Sequence, residues 1–179
     1  MLIASQWPLL LFFLFLTLAG CSNDELAVED AAPPELTDRV AVLMGGWPHA
    51  RAITETGEAT AYRIELDLDT GEEKMLSEGV VLRLDQRMEL TGLLSRDEAY
   101  GWDIAKGCEP IPGVLITFED GATYARLRIC FSCQMLGYTP GDWEDFDPVN
   151  DELVKWIKGV FPDDELIQAL GTADDEGGL

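Results

Sequence analysis

The chain has 179 residues, and its 34 aspartates and glutamates far outnumber its 12 lysines and arginines, which gives a formal net charge of -22. Such a charge repels nucleic-acid backbones and argues against DNA or RNA binding, whereas it could attract basic protein partners or divalent cations. The hydrophobic fraction of 47% and the aromatic fraction of 9% exclude a chain that is disordered throughout.

The N-terminal segment has the pattern of a secretion signal. Residues 7–19 form an apolar stretch that has the length of a signal-peptide core and is too short for a full membrane span. The end of this stretch begins the sequence Leu18-Ala19-Gly20-Cys21, which resembles the lipobox of bacterial lipoprotein precursors. This resemblance implies that residues 1–20 are a signal peptide, and that the Cys21 thiol receives a diacylglyceryl group. The alternative is an uncleaved membrane anchor, and in both cases the rest of the chain lies outside the cytoplasm.

A lipid on Cys21 would hold the protein on a membrane of the bacterial cell envelope, facing the periplasm or the exterior. Residues 21–38 are then the lipidated N-terminus and a flexible tether, because they are acidic, contain Pro33-Pro34 and lack apolar periodicity. Residues 39–171 are expected to form a single globular domain, and residues 172–179 a disordered tail.

The first half of the expected domain shows strand and helix patterns. In residues 61–68, AYRIELDL, apolar and charged residues alternate, which predicts a half-buried strand whose charged side chains face solvent. Residues 79–94 fit a strand that is followed by a short helix. Ser95 and Glu98 match a capping box and predict a helix that runs to about Lys106.

Residues 113–132 predict a β-hairpin. Asp120-Gly121 suits the two-residue loop of such a hairpin, and with these loop residues Phe118 would face Thr123. One face of the hairpin is mostly apolar, and the opposite face holds Tyr124, Arg126 and Arg128.

The C-terminal part of the domain predicts two helices, one from Asn150 to Lys158 and one in residues 162–170. Strands and helices do not alternate regularly along the chain. The expected fold class is therefore α+β, with a small antiparallel sheet that packs with several short helices.

Three cysteines remain for the folded domain once Cys21 is set aside: Cys108, Cys130 and Cys133. An oxidising compartment favours a disulfide, and an odd number of cysteines leaves one thiol over. Extension of the hairpin ladder beyond residues 113–132 pairs Cys108 with Cys133. A bulge near the start of the hairpin would make Cys130 the partner instead.

Other interpretations of the Cys130-Phe131-Ser132-Cys133 segment remain open. A thioredoxin-type redox site belongs at a helix N-terminus, whereas this segment follows a strand. A three-cysteine metal site needs a further ligand, such as His49 or an acid, and structural zinc usually has two close ligand pairs. Unpaired core thiols are the remaining interpretation. We predict no catalytic residue, no metal ligand set and no cofactor.

Two groups of acidic residues are candidates for cation ligands. Asp67, Asp69 and Glu72 do not have the spacing of an EF-hand loop. The denser group in residues 142–151 fits an acidic loop before a helix better than it fits a cation site.

The chain also resembles a group of small secreted bacterial proteins of unassigned activity that contain a CFxC segment. The matching features are Tyr100, Cys108, Pro112, the segment 130–133 and the stretch 161–170. The resemblance implies a recurring domain. Taken together, these patterns predict a lipid-anchored envelope lipoprotein with a non-enzymatic binding or structural role. The alternative is a thiol redox or metal-binding protein that uses Cys130 and Cys133.

Overall fold

A computed structural model describes residues 36–55 and 58–171 of the chain. The predicted signal peptide, the lipidation site at Cys21, most of the predicted tether and the predicted tail lie outside the described residues. Two residues before Arg39 also belong to the folded domain, because Leu36 packs against the core and the Thr37 side chain caps the first helix.

Within the described residues, seven strands form one sheet in which every pairing is antiparallel. The order across the sheet is β2-β1-β4-β5-β6-β7, and β3 pairs with β1 on the edge away from β4. Together with five short helices, this sheet confirms the predicted α+β class. The strands are β1 (Glu58–Leu66), β2 (Glu73–Met75), β3 (Val80–Val81), β4 (Val114–Asp120), β5 (Thr123–Cys130), β6 (Met135–Thr139) and β7 (Trp143–Asp145).

The helices lie against one face of the sheet, which we call the inner face. Their buried apolar residues join those of β4 and β5, including Ile116 and Leu127, in one core cluster. Two 3-10 turns, Asp97–Ala99 and Asp147–Val149, precede Tyr100 and the fourth helix. The helices are α1 (Asp38–Leu43), α2 (Trp47–Glu55), α3 (Leu84–Leu94), α4 (Asn150–Val160) and α5 (Glu165–Gln168).

The predicted hairpin exists as β4 and β5, but its expected register is wrong. Asp120 pairs with Thr123, so Gly121 and Ala122 form the loop instead of Asp120-Gly121. Gly121 has a φ of 59°, and a primed hairpin turn requires such a positive φ at its first loop residue. The cross-strand partners move by two residues, which is a full side-chain period. Every side chain therefore keeps its expected face.

The charged face predicted for the first strand is directed to solvent at Glu65 and Asp67 but not at Arg63. Arg63 is only 9% exposed, and it lies beside Ala59 and Ala61, which belong to the core cluster. Ile64, on the other face, is also buried. Strand β1 is therefore covered on both faces at Arg63 and Ile64, and the small alanines beside Arg63 leave room for its side chain.

The helix predicted from Ser95 to Lys106 is wrong. Ser95 ends α3, and its hydroxyl donates to the Thr91 carbonyl oxygen at 2.8 Å rather than capping a new helix. Only one 3-10 turn follows. The indole N–H of Trp102 donates to the Asp97 carbonyl oxygen at 2.8 Å, which holds the next residues in an irregular path.

Candidate functional site

A disulfide joins Cys108 to Cys133, the pair that the sequence favoured, with 6.2 Å between the two Cα atoms. The pairing does not arise from an extended ladder, because β4 begins only at Val114. Cys108 lies in the irregular segment before β4, and Cys133 lies in the loop between β5 and β6. The bond therefore ties two loops together beyond the end of the sheet.

Cys130 is the free cysteine among the described residues. It ends β5, has no exposed surface, and its Sγ lies 3.3 Å from the Ser132 hydroxyl oxygen. Cys133 is bonded to Cys108, so the Cys-x-x-Cys segment is not a dithiol in this structure.

Lys106 anchors the segment that carries Cys108. Its Nζ lies 2.5 Å from Asp145 Oδ2 and 2.5 Å from Asp147 Oδ1, and it donates to the Cys133 carbonyl oxygen at 2.9 Å. Burial alone would lower the pKa of Lys106, but the two carboxylates outweigh burial and hold this pKa above its ordinary value. The ammonium group therefore connects three chain segments around the disulfide.

Sequence reasoning missed this role of Lys106, although a signal was present. Lys106 is the only lysine or arginine between Arg96 and Arg126, and the chain carries a dense acidic run at residues 142–151. The one cation in this stretch is a natural partner for a buried carboxylate elsewhere in the chain. Asp145 and Asp147 from that run do bind it, which explains part of the run without a cation ligand.

The other residues considered as ligands have local partners. His49 lies in α2, and its Nδ1–H donates to the Gly45 carbonyl oxygen at 3.0 Å. Asp67 accepts the backbone N–H groups of Asp69 and Thr70, which hold the pKa of its carboxyl group below the ordinary value. Within residues 36–55 and 58–171, no group of three or more His, Cys, Asp or Glu side chains is arranged to hold a metal ion.

A second polar cluster lies on the outer face of the sheet, away from the helices. Arg128 Nε donates to Glu73 Oε1, and an Nη of Arg126 donates to Glu73 Oε2. We call these three residues the Glu73–arginine cluster. Burial would raise the pKa of Glu73, but hydrogen bonds and charge attraction from both arginines outweigh burial and lower this pKa.

The sequence pattern placed Arg126 and Arg128 on one hairpin face but did not identify Glu73 as their partner. Glu73 precedes them by 53 and 55 residues. It belongs to β2, which is separated from β5 in the sheet order by β1 and β4. The end of the β1–β2 hairpin therefore reaches over the outer face, an arrangement that no local pattern predicts.

No family model, no curated protein and no solved structure matches this chain. Both resemblances noted in the sequence therefore stay predictions. Among the residues that the structure describes, no helix has the length and apolar character needed to cross a membrane. The function must be inferred from the residues of this chain.

Proposed function

We propose that this protein is a lipid-anchored component of the bacterial cell envelope, and that its folded domain has a non-enzymatic binding or structural role. The observation that carries the proposal is the sequence Leu18-Ala19-Gly20-Cys21, which overlaps the end of the apolar stretch 7–19. Lipidation of Cys21 would place the folded domain at a membrane surface, at the end of an acidic tether.

The Cys108–Cys133 disulfide supports a location outside the cytoplasm. Cytosolic thiols are kept reduced, whereas disulfides form and persist in the periplasm and at the cell surface. The proposed compartment is therefore one in which the bond that ties these two loops together would last.

The state of the buried ionisable groups supports a role without catalysis. Lys106 is held by Asp145 and Asp147, and the hydroxyl groups of Tyr100 and Tyr138 lie 2.8 Å apart inside the core. Side chains of these types perform acid–base chemistry when they are accessible to a substrate. In this domain they bind one another, which suits a structural function for them.

Metabolic labelling with palmitate tests the lipid anchor. The wild-type protein should be labelled, and Cys21→Ser should lose the label and retain the uncleaved size, because the thiol is the acceptor. Ser22→Ala is the matched control; it leaves Cys21 in place and should be labelled normally. An unlabelled wild-type protein, or equal labelling of Cys21→Ser, would refute the proposal.

The alternative function, thiol redox or metal binding through Cys130 and Cys133, predicts a different covalent state. Under the proposed function, peptide mapping of the mature protein should find Cys108 linked to Cys133 and an unmodified Cys130 thiol. A Cys130–Cys133 disulfide that forms and breaks under mild redox cycling, or stoichiometric zinc, would favour the alternative.

A further inference from the structure

The Glu73–arginine cluster has the form of an occupied anion site. We propose that Arg126 and Arg128 bind a small oxyanion, a carboxylate or phosphate group, and that Glu73 occupies their site from within the chain. The glutamate then acts as an internal competitor that the external anion displaces.

The chemistry of the two arginines suits this ligand. The two oxygens of one carboxylate each receive a donor from a different guanidinium group, Arg126 on one side and Arg128 on the other. Charge-assisted contacts of this kind are the usual means by which proteins recognise carboxylates and phosphates. The Thr139 hydroxyl accepts from an Nη of Arg128, which orients that guanidinium group further.

The cluster also has an unused donor. The Nε of Arg126 is buried and has no hydrogen-bond partner among the described residues. A buried donor without an acceptor costs about 1–3 kcal/mol. The two carboxylate oxygens of Glu73 already accept hydrogen bonds from an Nη of Arg126 and from Nε of Arg128. An anion with a third oxygen, such as phosphate, would provide the missing acceptor for Arg126 Nε.

Glu73 belongs to the more weakly held half of the cluster. It lies on β2, a three-residue strand at the end of the sheet order, and its neighbour Met75 is 48% exposed. The arginines project from β5, which pairs with strands on both sides. Short edge elements with little buried apolar surface open at a lower free-energy cost than central strands. The glutamate can therefore leave while the arginines stay in position.

The net charge of -22 does not prevent binding of a small anion at this place. At physiological ionic strength, charges more than about 8 Å apart are largely screened, so the two adjacent guanidinium groups dominate locally. A long polyanion such as DNA would instead meet acidic surface along most of its length.

The inference gives the proposed binding role a ligand class, but it rests on the cluster alone and not on lipidation at Cys21. Loss of palmitate labelling would leave it intact, and loss of anion binding would leave the anchor intact.

Calorimetric titration with inorganic phosphate and with succinate tests the site. Glu73→Ala empties the site and should bind at least one of the two anions at a stoichiometry of one, at least tenfold more tightly than the wild-type protein. Glu73→Ala combined with Arg128→Gln should lose at least tenfold in affinity. Glu65→Ala removes an exposed carboxylate from the same hairpin and should behave as the wild type. The two probes separate a phosphate site from a carboxylate site.

Absence of binding of both anions to Glu73→Ala, or equal binding after Arg128→Gln, would overturn the proposal. Equal affinity of the wild type and Glu73→Ala would show that Glu73 is not a competitor. If Glu73→Ala fails to fold, amide hydrogen exchange of the wild-type protein tests whether an anion displaces Glu73. Amides of residues 64–76 should exchange faster in phosphate than in choline chloride of equal ionic strength, and equal exchange in the two salts would overturn the proposal.

Discussion

The ammonium nitrogen of Lys106 lies 2.5 Å from Oδ2 of Asp145, a carboxylate whose side chain has no exposed surface. This ion pair joins the segment that carries Cys108 to strand β7, and the Cys133 carbonyl oxygen accepts from the same nitrogen. The disulfide therefore ties the Cys108 segment to the loop between β5 and β6, and the ion pair ties the same segment to β7.

Removal of the Lys106 charge should be strongly destabilising. Lys106→Met leaves the Asp145 carboxylate buried without its counter-charge, and loss of one partner of a buried pair costs about 3–5 kcal/mol. Urea unfolding at pH 7 measures this loss. Lys155→Met removes an exposed lysine from α4 and should change the free energy of unfolding by less than about 0.5 kcal/mol. Equal effects of the two substitutions would contradict the structural role of Lys106.

The two buried tyrosines should respond unequally to removal of their hydroxyl groups. The Tyr100 hydroxyl donates to the Leu94 carbonyl oxygen at 2.7 Å and also meets the Tyr138 hydroxyl. Tyr100→Phe leaves two buried groups without a partner and should cost about 1–3 kcal/mol, whereas Tyr138→Phe leaves the bond to Leu94 intact and should cost less. Urea unfolding of both variants tests the order. The exposed Tyr124→Phe should be nearly neutral, and a larger cost for Tyr138→Phe than for Tyr100→Phe would contradict the hydrogen-bond assignment.

Stability should fall at alkaline pH because of the same pair. Burial raises the pKa of Tyr100 and of Tyr138 above the ordinary value near 10. Above pH 10 the unfolded chain loses these protons while the folded chain keeps them, so the free energy of unfolding decreases as pH rises. Each tyrosine contributes a slope of up to about 1.4 kcal/mol per pH unit. Unfolding curves between pH 8 and pH 11 measure the slope, which should be shallower in each Phe variant.

Reduction of the disulfide should destabilise the domain. The Cys108–Cys133 bond closes a sequence separation of 25 residues, for which loop-closure entropy gives about 3.5 kcal/mol. Urea unfolding with and without dithiothreitol measures this difference. Cys108→Ala combined with Cys133→Ala should be insensitive to the reductant, and Cys130→Ala should remain sensitive. If the free energy of unfolding of the wild-type domain were the same with and without the reductant, that result would argue against the disulfide.

Asp164 should stabilise the domain at neutral pH and lose this effect in acid. Burial works to raise its pKa, but the Ile167 backbone N–H and Arg63 outweigh burial and lower it. A lowered folded pKa means that the stabilisation is complete above the unfolded pKa near 3.8 and disappears as pH falls through the folded pKa.

Asp164→Ala should therefore cost about 1–3 kcal/mol at pH 7, because it removes the cap of α5 and the partner of the buried Arg63. At pH 2 the variant and the wild type should differ much less. Asp163→Ala, at the exposed neighbouring position, is the control. A cost that is the same at both pH values would show that the carboxylate charge is not involved.

Local patterns in the sequence predicted most strands and helices, but they did not predict how strongly each face is covered. The alternation in β1 identified a strand, yet Arg63 is buried because the alanines beside it leave space and Asp164 approaches from 101 residues away. Ser95 and Glu98 matched a helix start, but the hydroxyl of Ser95 already serves the end of α3. In the first case a tertiary contact outweighed a local preference, and in the second a different local hydrogen bond did.

The sequence by itself determined the α+β class, the hairpin of β4 and β5 with its two faces, and the odd cysteine count that leaves one thiol beside a disulfide. These features depend on residues that are neighbours within one element or on simple counting, so their physical causes are local. Only the tertiary structure decided that Glu73 meets Arg126 and Arg128, and that Lys106 meets Asp145 and Asp147. These charged partners lie between 39 and 55 residues apart along the chain, and packing of separate strands and loops brings them together.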